Sequence, residues 1–250
     1  MDGSNTKSNC NAGVHTAIIL AGGLGTRLRE MINNIPKPMA PINGIPFLTY
    51  LLEQLYQAKI EHVVLAVGYL WENIYDTFND KYKSMTLSYS VEQIPLGTGG
   101  AIAMAMTKVV DDNVLILNGD TFMDVSFADL WDFHIVNKAD ITMVLKPLTD
   151  FDRYGCVNVE DNSRVVSFEE KKVVKEGLIN AGIYVVKRKI FQELPEKFSF
   201  ETDFLPSAVA KGLVNGYKSD GYFIDIGIPS DYGKAQKEIP AYFAQKKKGL

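Results

Sequence analysis

An apolar run, Ala17-Ile18-Ile19-Leu20-Ala21, breaks directly into Gly22-Gly23-Leu24-Gly25-Thr26-Arg27-Leu28. The run reads as a buried strand. The loop behind it carries three glycines, Gly22, Gly23 and Gly25, which let the chain turn sharply and let a bound group approach the amides. Such a loop can aim several N–H groups at one anion. Arg27 adds a bidentate donor suited to phosphate oxygens. Lys37 adds a second cation, and its neighbours Pro36 and Pro38 stiffen the segment and fix the side chain's direction.

The competing reading is a tight strand-to-helix turn with a surface arginine. Glycines alone do not separate the two, but Thr26, Arg27 and the Pro-Lys-Pro run favour a polyphosphate. No Gly-Lys-Ser/Thr follows, so the loop is not a P-loop. Leu28 stands where the dinucleotide fingerprint needs its third glycine, which argues against a nicotinamide-dependent dehydrogenase.

The rest of the chain supports one α/β fold. Apolar residues from Phe47 to Leu55 recur at helical spacing. His62–Val67, Thr86–Val91 and Val114–Asn118 read as strands, with helices over Leu70–Phe78 and Gly99–Thr107. This alternation predicts a doubly wound, mostly parallel sheet with ligands outside the carboxyl ends of its strands. Beyond Asp140 the strands Ile141–Lys146, Cys156–Val159, Arg164–Phe168 and Ile179–Val186 have fewer helices between them. Residues 1–15, rich in Asn, Ser and Gly, are expected to be disordered, and 238–250 are expected to form a tail.

A chain of 250 residues with 46% hydrophobic and 22% charged residues is an ordinary globule. Thirty acidic against 26 basic residues leave a net charge of −4, which does not favour nucleic acid. Cys10 and Cys156 have no metal or redox spacing, and no long apolar stretch or signal-peptide pattern is present, so a reducing, cytoplasmic setting without membrane contact is expected. His15, His62 and His134 share no ligand spacing. The first two begin strands, His134 lies in a polar helix, and all three read as structural.

Leu20–Leu28 with the downstream Pro-Lys-Pro resembles the nucleotide-sugar pyrophosphorylases, the sugar-1-phosphate nucleotidyltransferases, over about 16–235. The segments Phe151–Gly155, Phe168–Lys171 and Gly177–Tyr184 most resemble the D-glycero-D-manno-heptose 1-phosphate guanylyltransferases. The resemblance implies a Rossmann-like mixed sheet with helices on both faces, of the nucleotide-diphospho-sugar transferase type, in a single domain over 16–237. A nucleotide half would run over about 16–138 and a sugar half over about 139–237, the later strands extending the same sheet and capping the cleft. The partners implied are an NTP, with GTP favoured, and a sugar 1-phosphate. A homo-oligomer is left open.

The reaction implied is in-line attack of a sugar-phosphate oxygen on the α-phosphorus of the NTP, with pyrophosphate leaving. The attacking phosphate is already an anion, so cations and positioning matter more than a strong base. By resemblance, Arg27, Lys37 and Asp120 carry catalysis. Leu20, Ala21, Gly22, Gly23, Gly25, Thr26, Arg27, Lys37, Glu92, Gly97 and Thr98 bind the nucleotide. Gly119, Gly155, Glu170, Lys171 and Asn180 meet the sugar phosphate, and Asp120 with Asp225 holds Mg²⁺, an ion suited to hard carboxylate oxygens. Glu92 as a carboxylate suits the adjacent N1–H and N2–H donors of guanine, whereas an amide suits thymine or uracil better. The rivals are a hexose 1-phosphate nucleotidyltransferase using UTP, dTTP, CTP or GTP, and a non-catalytic nucleotide-sugar-binding homologue. Loss of Arg27, Lys37 or either aspartate would favour the latter, and all four are present.

Overall fold

The computed structural model describes residues 15–23, 35–169, 171 and 173–248. The first half of the chain comprises β1 (Thr16–Leu20), β2 (Pro41–Ile42), β3 (Ile45–Pro46), α1 (Phe47–Gln57), β4 (His62–Val67), α2 (Trp71–Phe78), β5 (Lys81–Tyr82), β6 (Met85–Val91), α3 (Gly97–Met106), β7 (Asn113–Asn118), β8 (Thr121–Met123) and α4 (Phe127–Val136). The second half comprises β9 (Ile141–Phe151), β10 (Val157–Val159), β11 (Val165–Phe168), β12 (Val174–Lys187), α5 (Leu205–Ala210), β13 (Val214–Lys218), β14 (Phe223–Asp225) and α6 (Pro229–Lys248).

Eight strands form one sheet in the order β13-β9-β12-β7-β1-β4-β6-β5. β7, β1, β4 and β6 run parallel, as do β13 and β9, while β12 lies antiparallel between β9 and β7. The side-chain period of two explains why helices cover both faces. Ile19 pairs with Leu65 and Leu117, and all three enter a core shared with α1, α4 and α6. One residue earlier, Ile18 pairs with Val64 and Ile116 and enters a second core with α3 and α5. Ile18 is fully buried, so truncation to Ala is expected to destabilise the fold by about 2–5 kcal/mol. From β1 the sheet grows to β4 and β6 on one side and to β7 on the other. That reversal opens a crevice at the carboxyl ends of β1 and β7.

Three expectations need correction. β9 and β12 extend the sheet, but β10 and β11 form a separate antiparallel pair, joined to it through the isolated bridges Cys156–Ile179 and Arg164–Asn215. Each is short and has a single fully buried side chain, so neither supplies two faces for an interior place. Residues 238–248 are not a tail. They continue α6, where Tyr242 and Phe243 pack against Phe122 with ring centroids 5.5 Å away. The helix around His134 is not polar, because α4 buries Phe127, Leu130 and Trp131 along with His134. His134 is held by Thr142 at 2.8 Å and Asn113 at 3.1 Å. Among the described residues no helix is long and apolar enough to cross a membrane.

Candidate active site

Two cavities meet at the crevice. The first, about 950 Å³, lies over the ends of β1, β4 and β6 and includes Leu20, Gly22, Gly68, Trp71, Glu92, Gly97 and Thr98. The second, about 1000 Å³, lies against β12, β14 and the β10–β11 pair and includes Arg153, Gly155, Lys171, Asn180 and Asp225. Gly23, Lys37, Asn118, Asp120 and Glu201 line both.

Local structure explains the position of Lys37. Pro36–Ala40 close a short 3₁₀ turn, with Met39 N–H donating to the Pro36 carbonyl at 2.8 Å and Ala40 N–H to that of Lys37 at 3.0 Å. Pro38 and Met39 are buried, which anchors the turn while the Lys37 ammonium donates to the Asp120 carboxylate. Asp120 follows β7. The Gly119 N–H donates to the Leu20 carbonyl at 2.9 Å, a contact so close that a Cβ at 119 would collide with it. The antiparallel β8–β14 ribbon pairs Thr121 with Asp225, and the Ile226 N–H donates to the Asp120 carbonyl at 2.9 Å. The two aspartates are thereby brought together. Burial first, and the Asp120 charge second, push the Asp225 carboxyl above its usual range, although the Gly227 N–H at 2.6 Å and Lys37 oppose the shift. Two hard carboxylates, one of them disfavoured as a lone buried anion, fit a divalent cation. Among the described residues no third acidic, His or Cys side chain joins them. A cation there would complete its shell with water and phosphate oxygens.

In the first cavity Glu92 ends up beside the glycine loop. Its Oε2 accepts the Leu96 N–H at 2.7 Å, and its Oε1 would lie 3.2 Å from a Cβ on Gly22. Burial pushes this carboxyl up, and the Leu96 contact partly offsets the shift. The loop after Glu92 is laced to 198–201. Phe198 accepts from Gly99 at 3.0 Å and from Gly100 at 3.3 Å, and donates to Leu96 at 3.0 Å. Thr98 Oγ1 donates to Glu201 Oε2 at 2.5 Å and accepts from Phe200 N–H at 2.8 Å. Gly97 has φ +75°, and a Cβ there would lie 2.5 Å from the Phe198 carbonyl oxygen, so both conformation and space demand glycine.

In the second cavity Asn180 is held on both ends. Its Nδ2 donates to the Tyr184 hydroxyl at 2.5 Å, and its Oδ1 accepts the Gly182 N–H at 3.0 Å. A Cβ on Gly155 would lie 2.5 Å from the Glu169 carbonyl oxygen, so this loop also depends on glycine. Tyr154 is pushed up to about 12 by burial and then by the Asp225 charge. At the junction of the cavities the Asn118 Oδ1 is buried with no hydrogen-bond partner among the described residues, an acceptor open to a donor such as a hydroxyl.

The structure brings Leu20, Gly22, Gly23, Lys37, Glu92, Gly97 and Thr98 together in the first cavity, and Gly155, Lys171, Asn180, Asp120 and Asp225 in the second. Two expectations shift. Gly119 lines the first cavity and not the second, and its N–H is taken by the Leu20 carbonyl. Ala21 lines neither, being buried with its N–H on the Ala66 carbonyl at 2.7 Å. Gly25, Thr26, Arg27 and Glu170 lie outside the described residues. Sequence reasoning missed Asn118, Glu201 and Arg153. Arg153 sits in the Phe151–Gly155 segment and its charge could have flagged it, whereas Glu201 carries no local signal.

The family model for nucleotidyl transferases matches residues 16–241. The chain is 49% identical over 228 residues to the D-glycero-alpha-D-manno-heptose 1-phosphate guanylyltransferase of Aneurinibacillus thermoaerophilus, covering 90% of this chain and 99% of that one. Identity to the protein of the same name from Campylobacter jejuni is 49% over 218 residues, covering 86% and 96%. The crystal structure of HddC from Yersinia pseudotuberculosis complexed with GMP-PN superposes with a TM-score of 0.82 at 35% identity, covering 90% of this chain and all of that one. With the family match spanning both cavities, and relatives of this identity aligned almost end to end, this chain belongs to the nucleotidyl transferase family.

Proposed function

We propose that this protein transfers a guanylyl group from GTP to D-glycero-α-D-manno-heptose 1-phosphate and releases pyrophosphate. The observation that carries the reaction class is the shared wall of the two cavities, where Lys37 and Asp120 face both. A group transfer between two anions needs such a junction, with one cation within reach of donor and acceptor. The substrate pair rests on the 49% identity to the two heptose 1-phosphate guanylyltransferases.

GTP occupies the first cavity, its phosphates toward Gly22, Gly23 and Lys37 and its base toward Glu92, and the resemblance assigns Arg27 to the same phosphates. The sugar 1-phosphate occupies the second, with Lys171 on its phosphate and Gly155 and Asn180 around its ring, where the resemblance also assigns Glu170. A sugar-phosphate oxygen forms a bond to the α-phosphorus while the bond from that phosphorus to the bridging oxygen breaks, and the electron pair leaves with pyrophosphate. Lys37 offsets the negative charge at the junction. Asp120 and Asp225 are the residues that would hold Mg²⁺, which when bound neutralises phosphate charge and orients the leaving group. The buried free thiol of Cys156 is in keeping with a cytoplasmic setting.

The test is kcat/KM for GTP, UTP, dTTP and CTP, each with heptose, mannose and glucose 1-phosphates. The heptose phosphate with GTP is expected to be the best pair. A best pair of GTP with mannose 1-phosphate overturns the sugar, and a winning base other than guanine overturns the nucleotide.

A further inference from the structure

Arg153 stands in the wall of the second cavity, and its guanidinium is held from behind. One nitrogen, Nη2, bonds both the Asp231 carboxylate and the Tyr154 hydroxyl, the latter at 2.7 Å. Asp231 lines neither cavity. It lies in the first turn of α6, with its side chain only 14% exposed. The Tyr154 ring is itself packed against Phe223 at 5.9 Å and Phe151 at 6.5 Å. A free arginine side chain samples many rotamers and loses that freedom on binding an anion. Here one nitrogen is already committed, and among the described residues the fork's other N–H groups, on Nε and Nη1, have no hydrogen-bond partner and remain as donors.

We propose that Asp231 is a positioning residue that holds the Arg153 guanidinium at the cavity wall, so that its remaining N–H groups meet the phosphate of the sugar 1-phosphate. This rests on the reading that the second cavity takes that substrate. It assigns the last helix a part in substrate recognition without a cavity contact of its own. Lys234 also pairs with Asp231, at 3.3 Å, but is 65% exposed and is not needed for the placement.

Asp231→Asn keeps the shape and removes the charge. It is expected to raise KM for the sugar 1-phosphate at least about tenfold while leaving KM for GTP within about twofold, as fits the loss of one charge-assisted anchor. Asp231→Glu should recover part of the loss, and Lys234→Ala should behave as wild type. Asp231→Asn placed on Arg153→Lys should add little further, because the two residues act through one contact. Titration calorimetry with D-glycero-α-D-manno-heptose 1-phosphate, in the presence of a non-hydrolysable GTP analogue, gives the same comparison without turnover. Equal increases in both KM values, full additivity with Arg153→Lys, or unchanged sugar-phosphate affinity in Asp231→Asn would overturn the proposal. A wild type that binds the sugar phosphate but turns over none with GTP refutes the functional reading alone, and the calorimetry still decides Asp231. A wild type that binds no sugar phosphate overturns both.

Discussion

Asp225 lies across a three-residue ribbon from Thr121, and this pairing, not nearness in sequence, puts its carboxyl beside that of Asp120. Burial and the neighbouring charge hold Asp225 above its usual range. A carboxyl raised on folding favours its neutral form, so it lowers stability as pH rises above the ordinary aspartate value, 3.8, through the folded value. Asp225→Asn is therefore expected to melt higher than wild type at pH 7. The same variant, and Asp120→Asn, should lose at least ~100-fold in turnover, as expected for loss of a charge-neutralising ion. Calorimetric melting beside turnover in Mg²⁺ and in EDTA checks both halves. Full activity in EDTA would remove the metal assignment.

Lys37 and Lys171 are both cations in the crevice, but only Lys37 faces both cavities. Lys37→Ala should lower kcat, whereas Lys171→Ala should raise KM for the sugar phosphate and spare GTP. A charge-assisted hydrogen bond contributes about 1.5–3 kcal/mol, or roughly a 10- to 150-fold effect for each variant. Steady-state kinetics with each substrate varied in turn separates them. A rise in KM for GTP alone in Lys171→Ala would show that its placement is wrong.

Glu92 serves two partners in this reading, the Leu96 N–H and the base. An amide at this position can still accept from Leu96 but lacks the charge and the second acceptor. Glu92→Gln is expected to lower the preference for GTP over UTP roughly tenfold or more, since an unpaired buried donor costs about 1–3 kcal/mol. The ratio of kcat/KM values is the measurement. An unchanged ratio would leave Glu92 with a loop-closing role only.

His134 gives a separate signal in stability. Burial first, then Lys187, lower it to about 4 from an ordinary 6.5. The unfolded chain therefore binds the proton more tightly than the folded one, and stability is lost as pH falls from about 6.5 towards about 4. The full effect is about 3 kcal/mol. Denaturant unfolding across that range should show it, and His134→Gln should flatten the profile.

The interior of the sheet was legible because β1, β4 and β7 are apolar runs and β6 alternates apolar with polar residues, each bounded by turn residues, the strongest local signal a chain offers. β13 was not, since Val214–Lys218 is marked only by its parallel pairing with β9, a contact made over some seventy residues. The helical character of 238–248 was hidden for a similar reason. The run Lys246-Lys247-Lys248 gives no apolar signal, and only the packing of Tyr242 and Phe243 on Phe122 shows what the helix covers. At the site, Gly22, Gly23 and Lys37 of the glycine-rich and proline-bounded motifs line the crevice, where the sequence had put them. Glu201 was not, because its place is set by Thr98, a partner more than a hundred positions away.

The lacing of 96–100 to 198–201 bears on how such a protein could be re-engineered. Phe198 fills the space that side chains on Gly97 and Gly99 would need, and Glu201 meets Thr98 where the two cavities adjoin. A loop borrowed from a relative with another base preference would arrive without the segment it was shaped against. Swapped alone, it would meet the wrong backbone. Swapped together with its counterpart, it would also alter the wall of the neighbouring chamber. If the two cavities take nucleotide and sugar phosphate as proposed, a change of base preference is coupled to the acceptor chamber, and a library that varies both segments together is expected to yield more active variants than one that varies either alone.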